Sequence, residues 1–122
     1  MNIPQRLVGA ALGIPFVWLG YDAVVAPGGR VDMAAKLGIP RAEEAVRFNG
    51  AAMVAGGLGL VTGVQHRAAA LGLVGSLIPT TLAGHAFWAD DDPAKRKANR
   101  TQFLKNLGLM GGLLAVALAD DH

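Results

Sequence analysis

Seven polar residues stand inside or beside long apolar segments, where groups that can bind ligands, form ion pairs or move protons are rare. They are Asp22, Arg47, Asn49, His85, Gln102, Lys105 and Asn106. Such groups are costly in an apolar environment unless they pair with one another or face a cavity. Counted along the segments, all seven fall within about two helical turns of the same end. We therefore predict one shared polar layer at that end.

This layer could serve two purposes. Asp22 with either Arg47 or Lys105 is the ion pair that we expect, and His85 and Asn106 would complete a hydrogen-bonded network. In one interpretation, these residues only anchor the ends of helices. In the other, they line a pocket for an amphipathic or anionic ligand, such as a quinone, a lipid headgroup or a small oxyanion.

Other kinds of site lack the residues that they need. A bis-histidine haem requires two imidazoles at one depth, but His66 lies at the opposite end from His85, and His122 lies in the polar tail. No metal ligands cluster in the sequence. The absence of cysteine excludes thiolate catalysis and internal disulfides. Ser76 stands among small residues, so we interpret it as a packing residue. No catalytic residue is predicted.

The composition is too apolar for an ordinary soluble domain. Of the 122 residues, 52% are hydrophobic and 16% are charged, whereas soluble domains carry about 25% charged residues. Glycine, with 17 residues, has about twice its usual share of roughly 7%. Glycine-rich apolar segments are typical of closely packed membrane helices. We therefore predict a unit embedded in the lipid bilayer.

Four predicted helices each have an uncharged body close to the about 20 residues that a helix needs to cross a bilayer. They span residues 4–26, 40–64, 67–89 and 93–119. The predicted fold is all-α, an integral membrane four-helix bundle of kinked, glycine-rich transmembrane helices in one domain, residues 1–122. Pro15 and Pro79 lie within two of the helices and predict the kinks.

Proline and glycine also mark the ends of the helices. Asp92 before Pro93 predicts the start of the last helix, because aspartate accepts from orphan N–H groups and proline lacks the donor that would be stranded. Pro40 predicts the start of the second long helix. Residues 30–37, followed by Gly38, predict a short surface helix in the headgroup layer, with a solvated loop as the alternative.

Small residues recur at four-residue spacing in all four segments. The positions are Gly9 and Gly13 in the first, Ala55, Gly59 and Gly63 in the second, Ala68, Gly72, Ser76, Thr80 and Gly84 in the third, and Gly108 and Gly112 in the fourth. In membranes, small residues allow helix backbones to approach closely. We therefore expect a compact bundle with close backbone contacts.

The basic residues are divided unequally between the two ends of the bundle. One end holds nine of the eleven, Arg30, Lys36, Arg41, Arg47, Lys95, Arg96, Lys97, Arg100 and Lys105, and the other holds Arg6 and Arg67. The positive-inside rule places the basic end in the cytoplasm and both termini outside the cell inner (plasma) membrane. Three aspartates adjoin the run from Lys95 to Arg100, which favours a juxtamembrane turn over nucleic-acid binding.

Several motifs carry a resemblance to a known family. The residues His85-x-Phe87-Trp88, Asp92-Pro93, Phe103-x-Lys105-Asn106 and Gly111-Gly112-Leu113-Leu114 resemble the closing signature of the DoxX family of small four-helix membrane proteins. The segments LGIPFVWLGYDA and RFNGAAMVAGGLGLVTG are similar to the first and second helices of that family. The resemblance spans nearly the entire chain.

The resemblance implies an accessory role in redox chemistry. Similar members include a subunit of an archaeal thiosulfate:quinone oxidoreductase and actinobacterial proteins linked to membrane oxidoreductase complexes and oxidative-stress defence. We therefore expect an accessory or scaffold subunit that is not an enzyme on its own. Its expected partners are the lipid bilayer and a membrane protein or a second copy. No cofactor is evident from the residues, and a quinone is the candidate that the resemblance implies.

A small transporter or pore that acts as an oligomer is the alternative function. Proton-coupled carriers need an acidic residue deep in a helix. Asp22 is the only acidic residue within the apolar body of a segment, and it lies near the segment's end. Proton-coupled flux that depends on Asp22 would favour the transporter. Retained quinone or a redox partner would favour the accessory subunit.

Overall fold

The computed structural model is all-helical over the residues that it describes, which are 2–84, Trp88 and 91–119. Five helices lie in this part of the chain: α1 Ile3–Val25, α2 Gly29–Lys36, α3 Ala42–Thr62, α4 His66–Gly84 and α5 Pro93–Leu118. The long helices begin and end within two residues of the predicted segments, except that the predicted end of the third, at residue 89, lies outside the described residues. Helix α1 continues through Pro15, and α4 continues through Pro79.

Two of the three predicted helix boundaries are confirmed. Asp92 caps α5, because its side chain accepts a hydrogen bond of 3.0 Å from the Ala94 N–H and Pro93 is the first helical residue. Gly38 follows α2 with a φ of 78°, and its N–H donates to the carbonyl of Ala35 at 2.9 Å. This left-handed glycine ends the short surface helix as predicted.

The prediction that Pro40 opens the second long helix is wrong. Helix α3 begins at Ala42, and Arg41 immediately before it has a φ of 53°, in the left-handed region. The chain therefore turns sharply between Pro40 and the helix. Glu44 forms an ion pair with Arg41 at 2.6 Å across this turn.

Four glycines hold α1 and α3 in backbone contact. A Cβ atom on Gly13 would lie 2.5 Å from the carbonyl oxygen of Gly57, and one on Gly20 would lie 2.5 Å from that of Gly50. The reciprocal distances, from Gly57 and from Gly50, are both 2.7 Å. Real Cβ atoms do not approach other atoms this closely, so these positions accept only glycine unless the helices separate. The contacts are seven residues apart on each helix, the spacing typical of a left-handed helix pair.

The predicted four-residue glycine stripes are therefore only partly correct. A Cβ atom on Gly72 or Gly108 would meet nothing within 4 Å, and one on Gly112 would meet only the Leu12 side chain at 3.8 Å. Backbone contact follows a seven-residue repeat in α1 and α3. In α4 and α5, larger side chains such as Leu73 and Leu113, both fully buried, fill the space between the helices.

Helix α4 packs against both α3 and α5 in the described bundle, and it also contacts α2. The buried side chains of Ala70, Leu73 and Leu77 form its inner face. These side chains meet Leu60 of α3 and Leu113 of α5 in the hydrophobic core. Helix α5 lies at the edge of the bundle, because Leu113 is its only buried residue within the described part of the chain.

The outer surface of the described bundle is suited to lipid. Large apolar side chains face outward, with Trp18 72% exposed and Phe48 78% exposed, and soluble proteins avoid extended apolar patches of this kind. Among the described residues, α1, α3 and α5 are long and apolar enough to cross a membrane. The described part of the chain thus has the features of a helical protein that contacts the lipid bilayer.

The contact between α1 and α3 predicts opposite effects for one substitution at two glycines. Gly57→Ala should lower the free energy of unfolding by about 1–3 kcal/mol, because the added methyl group collides with the Gly13 carbonyl and the Val17 side chain. Gly72→Ala, the matched control in open space, should be neutral or should stabilise by up to about 1 kcal/mol. Unfolding in detergent measures both values. Equal effects would contradict the observed helix contact.

Candidate functional site

Contacts between helices bring the predicted polar residues toward the same end of the bundle. Gly20 in the last two turns of α1 lies against Gly50 in the first half of α3. Thr81 near the end of α4 accepts a hydrogen bond from Asn106 of α5. The end of α1 thus lies beside the first half of α3, and the end of α4 lies beside the middle of α5.

Successive long helices are antiparallel. Gly13 meets Gly57 at the other end of the contact between α1 and α3, and Arg67 at the start of α4 donates to the Ala119 carbonyl just beyond α5 at 2.8 Å. The ends of α1 and α4 and the starts of α3 and α5 therefore point the same way. We call this the basic end, because the sequence places nine of the eleven basic residues there.

Asn49 of α3 is the centre of a closed hydrogen-bonded ring with α4. Its side-chain oxygen accepts from the Ser76 hydroxyl at 2.8 Å, and its amide nitrogen donates to the Thr80 hydroxyl at 3.0 Å. The Thr80 hydroxyl in turn donates to the Ser76 carbonyl at 3.0 Å. All three side chains are partly or fully buried. The ring links α3 to α4 through neutral groups.

A second polar contact links α4 to α5. The Asn106 side-chain amide donates to the Thr81 hydroxyl at 3.0 Å, and Thr81 is only 2% exposed. Within the described part of the chain, no buried side-chain nitrogen or oxygen lacks a hydrogen-bond partner. Asn49 and Asn106 therefore flank α4 and hold it to both of its long neighbours.

Arg47 closes the end of α1 instead of forming the predicted ion pair. Its guanidinium donates to the Val24 carbonyl at 2.6 Å and pairs with Glu43 at 3.0 Å. The last carbonyls of a helix lack intrahelical partners, and a cation satisfies them and interacts favourably with the helix dipole. Arg47 thus binds the part of α1 where Asp22 lies, but it binds a backbone atom.

The predicted ion pair between Asp22 and Arg47 or Lys105 is not formed among the described residues. Asp22 is half-buried, and its backbone carbonyl accepts from the Ala26 N–H at 2.8 Å. Lys105 is exposed on α5. The orphan carbonyl of Val24 offers Arg47 a partner at the helix end itself, which explains why the guanidinium does not turn to the carboxylate.

The remaining predicted site residues do not join the network that the structure describes. Gln102 is exposed on α5. The predicted role of His85 falls on a residue outside the described part of the chain. Sequence reasoning missed the hydroxyls of Ser76, Thr80 and Thr81. Their signal was available, because residues 76 and 80 share one face of a helix and Asn49 stands on the helix before it.

The arrangement binds helices to one another through neutral, mutually satisfied groups. In residues 2–84, 88 and 91–119, no group of three or more histidine or acidic side chains could hold a metal ion. A shallow apolar groove runs between α1 and α3 at the surface. It is lined by Tyr21, Val24, Ala51, Val54, Ala55 and Leu58. Its lining could accommodate an apolar ring or chain from the lipid phase.

The ring around Asn49 predicts a stability effect that an exposed polar residue does not share. Asn49→Ala should lower the free energy of unfolding in detergent by about 1–2 kcal/mol, because it removes two interhelical hydrogen bonds. Gln102→Ala on exposed helix surface is the control and should change it by less than about 0.5 kcal/mol. If Asn49→Ala unfolded no more easily than Gln102→Ala, the ring would not stabilise the bundle.

Comparison with known proteins gives one positive finding. The family model for DoxX matches residues 7–86, which include α1 from its fifth residue onward and all of α2, α3 and α4. Neither the curated proteins nor the solved structures yield a match. The match contains the first-helix and second-helix segments that carry the resemblance, whereas most of the motif from His85 to Leu114 lies beyond it. Because the match covers more than half of the chain, this protein belongs to the DoxX family.

Proposed function

We propose that this DoxX-family protein is a four-span accessory or scaffold subunit of a redox-associated complex in the cell inner (plasma) membrane. The complex would be quinone-linked or would serve oxidative-stress defence. The observation that carries the accessory or scaffold role is the self-satisfied polar layer of Asn49, Ser76 and Thr80. A chain whose internal polar groups bind one another has its outer faces available to partners and lipid.

Helix α4 is proposed as the fourth span, beside the three long apolar helices. Its 19 residues rise about 28 Å, close to the roughly 30 Å hydrocarbon core of a bilayer. Three residues, 63–65, join it to α3, so it returns antiparallel along that helix. Ser76 and Thr81 lower its apolar character, but both are buried against other helices and hydrogen-bonded there. These groups therefore impose little penalty in lipid.

The same polar layer argues against the transporter alternative. A carrier needs polar groups that are free to bind its substrate, or an acidic group at depth that exchanges protons. Asn49 uses both its oxygen and its nitrogen within the ring. Asp22 lies in the last turn of α1, at the basic end rather than mid-span. These observations therefore favour a scaffold over a transporter.

The redox association rests on the family resemblance, and the groove between α1 and α3 is consistent with it. A quinone is the candidate cofactor of the complex. Its ring and isoprenoid tail would fit an apolar surface that opens to lipid, such as the groove between Tyr21 and Leu58. The positive-inside rule orients the basic end toward the cytoplasm and both termini outside.

The proposal predicts that the protein is isolated with an oxidoreductase. We expect the tagged chain, extracted from native membranes in mild detergent, to copurify with a flavin, haem or iron–sulfur subunit. When an electron donor for that subunit is added, the sample should reduce a short-chain quinone. Gly57→Leu is the control, because a leucine at this position forces α1 and α3 apart and should release the partner. Gly72→Leu, in open space, should retain it.

Transport assays in proteoliposomes can contradict the proposed accessory role. Proton-coupled flux that Asp22→Ala abolishes and Asp32→Ala preserves would overturn the accessory role in favour of transport. Asp32 is a matched control, because it is an exposed aspartate on α2 at the same end of the bundle. Isolation without any redox subunit or quinone would also contradict the proposal.

A further inference from the structure

The outer face of α5 combines cations with exposed apolar residues. Lys97, Arg100, Leu104, Leu107 and Gly111 recur at three- and four-residue spacing along this helix, so they lie on one face. All five are exposed, with Leu104 at 57% and Leu107 at 53%. We call this surface the α5 outer face.

The opposite side of the helix is the one that packs against the bundle. Asn106 binds Thr81 of α4, Leu113 is fully buried, and Met110 packs against the core. These positions also recur at three- and four-residue spacing. The α5 outer face therefore points away from the rest of the chain.

The two cations of this face have no acidic partner in the described part of the chain. The ion pairs found there are Arg41–Glu44 and Arg47–Glu43, both around the start of α3. The donors of Lys97 and Arg100 are therefore not occupied by any acidic side chain in this part of the chain. A guanidinium and an ammonium next to one another are suited to binding a phosphate.

The spacing along the helix matches the layers of a lipid molecule. Arg100 precedes Leu104 by about 6 Å of helix rise and Leu107 by about 10 Å, so the cations stand at headgroup level when the leucines stand at acyl-chain level. A Cβ atom on Gly108 or Gly111 would meet nothing within 4 Å. The surface below the leucines is therefore flat and open, with room for a hydrocarbon chain.

We propose that the α5 outer face binds an anionic phospholipid of the leaflet at the basic end. Lys97 and Arg100 hold the phosphate-bearing headgroup, and the acyl chains lie along Leu104 and Leu107 and across Gly111. This proposal rests on α5 crossing the membrane, as in the four-span arrangement above. It assigns to the chain a lipid ligand at a defined position.

A second copy of the chain fits this face less well than a lipid. Two copies in one membrane share the same orientation, so a twofold axis along the membrane normal would place α5 against α5 at equal depth. Lys97 and Arg100 would then face the same cations of the other copy, and like charges at close range repel. Charge complementarity selects an anionic occupant.

Melting temperatures of the purified chain in neutral detergent test the proposal, with phosphatidylglycerol or phosphatidylcholine added. We expect phosphatidylglycerol to raise the melting temperature of the natural chain more than phosphatidylcholine does. In Lys97→Gln/Arg100→Gln, the apparent affinity for phosphatidylglycerol should fall roughly 30-fold. Arg30→Gln/Lys36→Gln removes the same charge from α2 at the same end and should retain the preference. Lys97→Arg/Arg100→Lys keeps both positive charges and should also retain the preference for phosphatidylglycerol. Its retention would show that the glutamine variant loses affinity because charge is removed and not because the protein misfolds.

Three outcomes would overturn the proposal. The first is the absence of any preference for phosphatidylglycerol. The second is an equal loss in the α2 control variant, which would indicate diffuse attraction to the basic end. The third is efficient disulfide formation between copies carrying Leu104→Cys, which is a single-cysteine protein because the natural chain has none. These assays use the purified chain, so their failure leaves the accessory role untouched, and the loss of a redox partner leaves them unchanged.

Discussion

The close approach of two backbones, α1 and α3, is the constraint on which the rest of the bundle depends. At Gly13 with Gly57 and at Gly20 with Gly50, a side chain of even one carbon would collide with a carbonyl oxygen. Within lipid, where apolar side chains gain little by leaving their surroundings, such close van der Waals packing has to supply the cohesion. The contact fixes the relative register of α1 and α3. That register in turn brings Arg47 to the Val24 carbonyl.

The contacts that join α4 to α3 and to α5 include polar ones. Asn49 and Asn106 hold α4 from either side through the hydroxyls of Ser76, Thr80 and Thr81. Hydrogen bonds between helices are directional, so they set the rotation of α4 in a way that leucine packing does not. The groups involved are neutral, which spares them the cost of burying charge. A layer of this kind holds the helices together, and its polar groups satisfy one another.

The helices were predictable from the sequence because apolar length and caps such as Asp92-Pro93 are local signals. The contacts within the candidate site were harder to predict from the sequence. Asn49 and Asn106 were found from their depth in apolar segments, but Ser76 was interpreted as a small packing residue, because a hydroxyl within a glycine stripe resembles its neighbours. The predicted ion pair between Asp22 and Arg47 was wrong because Arg47 binds the Val24 carbonyl at the end of α1. The charges in a sequence do not reveal a carbonyl that lacks a partner. The seven-residue glycine repeat was missed because the sequence also offers a four-residue one, and only the helix partners decide between them.

The central claim is that α4 crosses the bilayer and returns the chain to the basic end. The most direct test is labelling of single cysteines in intact cells with a membrane-impermeant maleimide, since the natural chain has no cysteine. Cysteines would replace Asp32, Gln65 and Asp91 in separate variants. The account predicts that position 65 is labelled from outside, and that positions 32 and 91 are labelled only after the cells are permeabilised. Labelling of positions 65 and 91 from the same side would contradict it.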